Sequence, residues 1–122
     1  MKPKYMEIQP NRTVVGLDQL TEQIERWSYE GKLPFQDSTR QFVKIVEEVG
    51  ELAAADARNN EPGIVDAIGD IYVTLVVYCQ QRGIRIEDAI RSAYNEIKDR
   101  KGQIIGGTFI KASDVDCNSQ PK

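Results

Sequence analysis

No histidine occurs anywhere in these 122 residues. That absence excludes His-dependent catalytic triads, a three-histidine zinc site and the Glu-x-x-His pairs of di-iron bundles. Any catalysis is left to carboxylates, a metal or basic side chains. Cysteine is scarce: Cys79 lies in an apolar run and Cys117 in a polar tail, with neither metal-type spacing nor enough partners for a disulfide framework. No apolar run approaches the ~18 residues that span a bilayer. The opening Met1-Lys2-Pro3-Lys4 is basic but has no apolar core behind it, so no secretion signal is expected. A reduced, cytoplasmic protein with no membrane partner follows. Positive charge is also short, at 16 Lys and Arg against 19 Asp and Glu. The resulting net charge of −3 argues against nucleic acid as a partner. Nor is there a phosphate-cradling Gly-rich loop of the P-loop type.

What is present is ordinary in bulk and unusual in one place. The length suits one domain, residues 1–122, with a sizeable core. The unusual stretch runs from Lys44 to Asp70. Glu47, Glu48 and Glu51 stand on one helical pattern, Asp66 and Asp70 on the next, with a break at Asn59-Asn60-Glu61-Pro62 between them. Residues three or four apart share a helix face, so antiparallel packing brings four or five acidic groups together. Such a cluster does not stay dry and unpaired. Its hard oxygen donors suit Mg²⁺, with Mn²⁺ as a substitute.

The rest of the chain reads as helices around that stretch. Residues 1–16 form an N-terminal arm with two prolines. Leu17, Leu20, Ile24 and Trp27 then fall at helical spacing, ended by Gly31 and Pro34. Trp27 is read first as a packing residue and second as a ring that stacks on a base. Asp37, Ser38 or Thr39 caps the second helix. There Phe42, Ile45, Val46, Val49, Leu52 and Ala53 form an apolar face, with the glutamates opposite. Pro62 suits the first turn of the third helix. Its second half, Ile71 to Cys79, is apolar almost all round and therefore buried on most sides. Gly50 and Gly69 each flank an acidic pair, and close approach of two backbones would explain them; two tolerated glycines is the plainer reading. A fourth helix runs from about Ile86 to Lys101, with Arg91, Asn95 and Lys98 on its polar face. Arg100 and Lys101 stand before Gly102, either complementing the helix end or holding phosphate. The segment from Gln103 to Lys111 folds back on the helices, and residues 112–122 form a disordered polar tail.

Carboxylates and a metal beside basic residues suit polyphosphate chemistry: Mg²⁺ neutralises phosphate oxygens and activates water, and a free carboxylate takes the proton. At this point the residues resemble a known family. Lys44-x-x-Glu47-Glu48-x-x-Glu51-Leu52, with Gly69-Asp70 on an apolar helix, resembles the MazG-like all-α nucleoside triphosphate pyrophosphohydrolases. Asn95 to Gly102 and Gly107 to Lys111 are similar to its short, single-domain, phage-type members. The resemblance covers roughly residues 17 to 111. It implies an all-α bundle of four to five antiparallel helices, completed by assembly into a homodimer or homotetramer. It also implies hydrolysis of a ribo- or deoxyribonucleoside triphosphate to monophosphate and pyrophosphate by a metal-activated water.

The family pattern is Glu-x-x-Glu, a spacer, then Glu-x-x-Asp. Glu48, Glu51 and Asp70 fill three metal positions, and the fourth falls on Ala67. Asp66, offset by ~40° from Asp70 in helical phase, or else Glu47, is the candidate replacement. The expected roles are Glu47, Glu48 and Glu51 in catalysis, and Glu48, Glu51, Asp66 and Asp70 on metal. Lys98, Arg100, Lys101, Asn95 and Trp27 are the expected substrate contacts, with Phe42 and Tyr94 as further base contacts. The alternative function is a non-catalytic helical module that binds a nucleotide or a protein, for which Ala67 is the best argument.

Overall fold

The structure, a computed structural model, describes residues 3–7 and 15–119. Its fold is all-α, as expected, with five helices and one short hairpin among the described residues. The chain divides into two compact units, residues 1–84 and 85–122.

The first unit holds α1 (Leu17–Glu30), α2 (Ser38–Ala57) and α3 (Glu61–Arg82). The caps follow the local sequence. Asp37 accepts from the Thr39 backbone N–H at 2.9 Å to start α2, and Asn60 accepts from that of Gly63 at 3.3 Å to start α3. Gly83 ends α3 in the left-handed region at φ 68°, where a missing Cβ removes the steric penalty. Asn59 reverses the chain between α2 and α3 at φ 53°. A link this short makes the two helices antiparallel neighbours.

Their antiparallel register runs from Ala55 and Gly63 at one end to Gln41 and Phe42 beside Thr74 and Tyr78 at the other. Ala55 lies opposite Gly63, the Gln41 amide donates to the Thr74 carbonyl at 3.1 Å, and the Phe42 and Tyr78 rings meet at 6.3 Å. On the other flank of α3, the Tyr72 hydroxyl and Thr21 Oγ1 share a 2.6 Å hydrogen bond. Thr21 Oγ1 in turn donates to the Leu17 carbonyl. Val76 and Val77 are the most deeply buried apolar side chains. Packing on both flanks thus accounts for much of the apolar second half of α3, while Val65, Ile68 and Leu75 stay exposed.

Several expectations change in the first unit. Helix α3 has an 18-residue window of mean hydropathy 1.4, long and apolar enough to cross a membrane by composition alone; the sequence reading expected no such stretch. Its apolar character is used in packing on α1 and α2. The α2 residues turned inward are Gln41, Ile45, Glu48, Leu52 and Ala55, one step round from the expected stripe. Phe42, Val46 and Val49 are exposed instead. An added Cβ at Gly50 or Gly69 would meet nothing within 4 Å, so these glycines mark no close approach among the described residues. Of the expected arm, Lys4–Glu7 forms a 3-10 turn; residues 1–2 and 8–14 lie outside the described residues.

The second unit holds α4 (Ile86–Ile97), β1 (Gly102–Ile105), β2 (Thr108–Lys111) and α5 (Ala112–Ser119). Helix α4 stops at Ile97, a turn earlier than expected, and Arg100 and Lys101 follow it rather than completing its last turn. The Lys101 carbonyl is taken by the Ala112 backbone N–H at 2.8 Å. Next come the two antiparallel strands, with Ile104 opposite Phe109. Gly106 and Gly107, at φ 59° and 81°, supply the two positive-φ positions that a tight hairpin turn needs. The supposed disordered tail is helix α5 as far as Ser119, which packs on the hairpin. Residues 120–122 lie outside the described residues.

Candidate metal centre

The inward seam of α2 carries a carboxylate where a bundle normally places an apolar side chain. Glu48 is half-buried there, with Glu51 one turn on and Asp70 across the seam on α3. One ligand oxygen from each of the three lies within 4.8 Å of the other two. Oxygens bound to one divalent cation at about 2.0–2.6 Å lie no more than roughly 4–5 Å apart. The three are therefore spaced to share an ion.

Electrostatics points the same way. The Glu48 Oε2 atom is buried with no hydrogen-bond partner among the described residues. Loss of solvent pushes the Glu48 carboxyl above its ordinary range, and the nearby charges of Glu51 and Asp70 push it further. Lys44, one turn earlier on α2, acts in the opposite direction but does not reverse the shift. A buried oxygen without a donor and a net excess of negative charge are what a bound cation relieves. Hard, all-oxygen donors fit Mg²⁺ or Mn²⁺ better than a softer metal.

Asp66 is exposed and stands outside this trio. It borders an adjoining cavity of about 240 Å³ with Glu51, Arg58, Asn60 and Ala67. Ala67 itself is buried, at 4% exposure, so the position expected to carry a fourth ligand lies on the seam without one. Glu47 is exposed on α2. Arg58 was missed by the sequence reading. Its only signal is a cation at the C-terminal end of the glutamate-bearing helix.

Asn95 and Lys98 belong to α4 and its end, and Arg100 and Lys101 to the segment after it, all within the second unit. Trp27 is 58% exposed, which departs from its expected packing role. With Leu20, Ile24 and Val73 it lines an apolar cavity of about 300 Å³. Phe42 is exposed apart from its contact with Tyr78, and Tyr94 is exposed.

Against known families, the chain matches phosphoribosyl-ATP pyrophosphohydrolase over residues 16–96. It belongs to that family. The family lies within the MazG-like all-α superfamily that the motif resembles. The match takes in the whole of α1, α2 and α3, and with them all three carboxylates. One curated relative, an uncharacterized 18.2 kDa protein in the rep-hol intergenic region of Haemophilus phage HP1 (strain HP1c1), is 40% identical over 73 residues. That alignment covers 58% of this chain and 44% of the phage protein, so the chain spans less than half the length of that relative. No solved structure matches.

Proposed function

We propose that this protein is a Mg²⁺-dependent nucleoside triphosphate pyrophosphohydrolase acting in the cytoplasm, which cleaves between the α and β phosphates. The observation that carries the reading is the meeting of Glu48, Glu51 and Asp70 within 4.8 Å, in a chain from a pyrophosphohydrolase family. These three residues would hold the divalent cation. When bound, the cation supplies neutralisation of phosphate oxygens and a lowered water pKa. Glu47 is the exposed carboxylate beside the trio and takes the proton as general base. Asp66 replaces the ligand missing at Ala67 from its place beside Glu51. Within the second unit, Lys98, Arg100, Lys101 and Asn95 are the proposed phosphate-binding side chains.

The family match favours a second substrate, phosphoribosyl-ATP, which presents the same kind of α–β phosphoanhydride. The chemistry at the cluster would be unchanged, and only the group beyond the phosphates differs.

Assembly belongs to the same reading. Phe42, Val46 and Val49 on α2, with Val65 and Ile68 on α3, leave apolar surface exposed around the acidic seam. We propose that a homodimer or homotetramer covers it and that Trp27 packs in that assembly.

Glu51→Gln tests the site, because it keeps size and removes the charge. Turnover should vanish while the helical circular dichroism stays as in the wild type. Wild-type turnover in that variant would remove the cluster from the reaction.

A further inference from the structure

A second cavity, of about 440 Å³, opens where the 3-10 turn Leu33–Phe35, the start of α2 and the end of α3 meet. That volume lies in the range of small-molecule sites. Three glutamines line it, and each is anchored through its amide nitrogen to a backbone carbonyl. Gln36 donates to Lys32 at 3.1 Å, Gln41 to Thr74 at 3.1 Å and Gln81 to Leu33 at 2.9 Å. An anchored amide keeps its carbonyl oxygen and one N–H to offer. For Gln81 that oxygen is buried and has no partner among the described residues, which costs free energy until a donor arrives.

The charged lining points in one direction. Asp37 is engaged in capping α2, which leaves Arg40 and Lys44 as the cations of the cavity. Lys44 is one turn from Glu48, close enough to act on its ionisation. Arg40 to Glu48 is eight residues of one helix, about 12 Å along its axis. Neutral amides therefore lie at one end of a ridge, cations in its middle and the metal-binding carboxylates at the other end. A nucleotide has a compatible order of parts: a hydrogen-bonding base, then a sugar carrying the anionic α phosphate, then the α–β bond to be cut, with the remaining phosphates beyond it.

We propose that this cavity is the nucleobase pocket, in which Gln36, Gln41 and Gln81 read a base edge carrying an N–H donor while Arg40 and Lys44 guide the phosphates toward Glu48. The assignment rests on the pyrophosphohydrolase reading for the direction of the phosphates. It does not rest on that reading for the capture of the base, so the base alone is the proper probe.

The test is a titration of the full chain with adenosine, guanosine, cytidine and uridine, without metal, followed by NMR. At least one nucleoside should bind the wild type, and Glu51→Gln should bind it equally well, because the cluster makes no contact with the base. Gln81→Met and Gln36→Ala should each weaken that binding by about tenfold, the value of a hydrogen bond lost from a fixed partner. Affinity for inorganic triphosphate with Mg²⁺ should not change in either. Gln36 is exposed, so its variant reports on the pocket even where Gln81→Met unfolds. Unchanged nucleoside binding in both variants, or no nucleoside binding at all, overturns the assignment. Loss of inorganic triphosphate in place of nucleoside overturns it too, in favour of a phosphate pocket. Nucleoside binding that is lost in the variants, in a protein that releases no pyrophosphate, upholds the pocket and refutes hydrolysis alone.

Discussion

Glu48 places a carboxylate on the seam between two helices, with a buried oxygen that has no hydrogen-bond partner among the described residues and two acidic neighbours. Such an arrangement works against the metal-free fold and for the metal-bound one. Glu48→Gln should therefore melt at or above the wild-type temperature in chelator and lose the upward shift that Mg²⁺ gives the wild type. A variant that melts lower in chelator and still responds to Mg²⁺ would show that Glu48 serves packing. Asp66→Asn separates the candidates for the missing ligand, and if Asp66 replaces Ala67, Mg²⁺ affinity should fall about tenfold, the lower end for a lost metal-site interaction. Unchanged affinity would leave the trio complete without it. The trio was legible in the sequence because Glu48, Glu51 and Asp70 fit a helical repeat and a family motif. The inward turn of Glu48 was not. Periodicity assigns apolar residues to the core, and here a polar residue occupies the seam.

At the scale of elements, caps and breaks were readable because they depend on neighbouring residues: Asp37, Asn60, Pro62 and Gly83 act as their types suggest. Gly106-Gly107 between two short apolar runs is compatible with a hairpin, although the run alone implies no more than a segment folding back. Its consequence for α4 was hidden, since the Lys101 carbonyl finds its partner at Ala112, beyond the hairpin. The face of α2 was misread because Val46 and Val49 look like core and are exposed in the single chain. Among the described residues nothing requires glycine at positions 50 and 69, where an added Cβ meets open space. Gly50→Ala and Gly69→Ala should each stabilise the protein by about 0.5–1 kcal/mol, seen as a higher melting temperature. Destabilisation would mean that another copy approaches those positions closely.

At the scale of the whole molecule, the exposed apolar side chains of α2 and α3 are the main unexplained cost of a lone chain in water. Sedimentation equilibrium should give a dimer or tetramer, and Val46→Glu, which buries a charge in such an interface, should shift it toward monomer. A monomeric wild type at micromolar concentration would contradict the assembly. The overall class was legible because no histidine, few cysteines and strong 3.6-residue periodicity leave little besides a helical protein with oxygen chemistry. Substrate identity was not, because the base contacts proposed for Gln36 and Gln41 need Gln81, forty residues beyond Gln41, to complete the pocket, and the three carry no motif.

The decisive experiment is pyrophosphate release from the eight common ribo- and deoxyribonucleoside triphosphates and from phosphoribosyl-ATP, each with and without Mg²⁺. Pyrophosphate and the matching monophosphate product should appear only with metal, and the ranking of rates names the substrate. Release of single phosphate, or a folded protein that releases nothing with Mg²⁺ or Mn²⁺, would contradict hydrolysis at Glu48, Glu51 and Asp70.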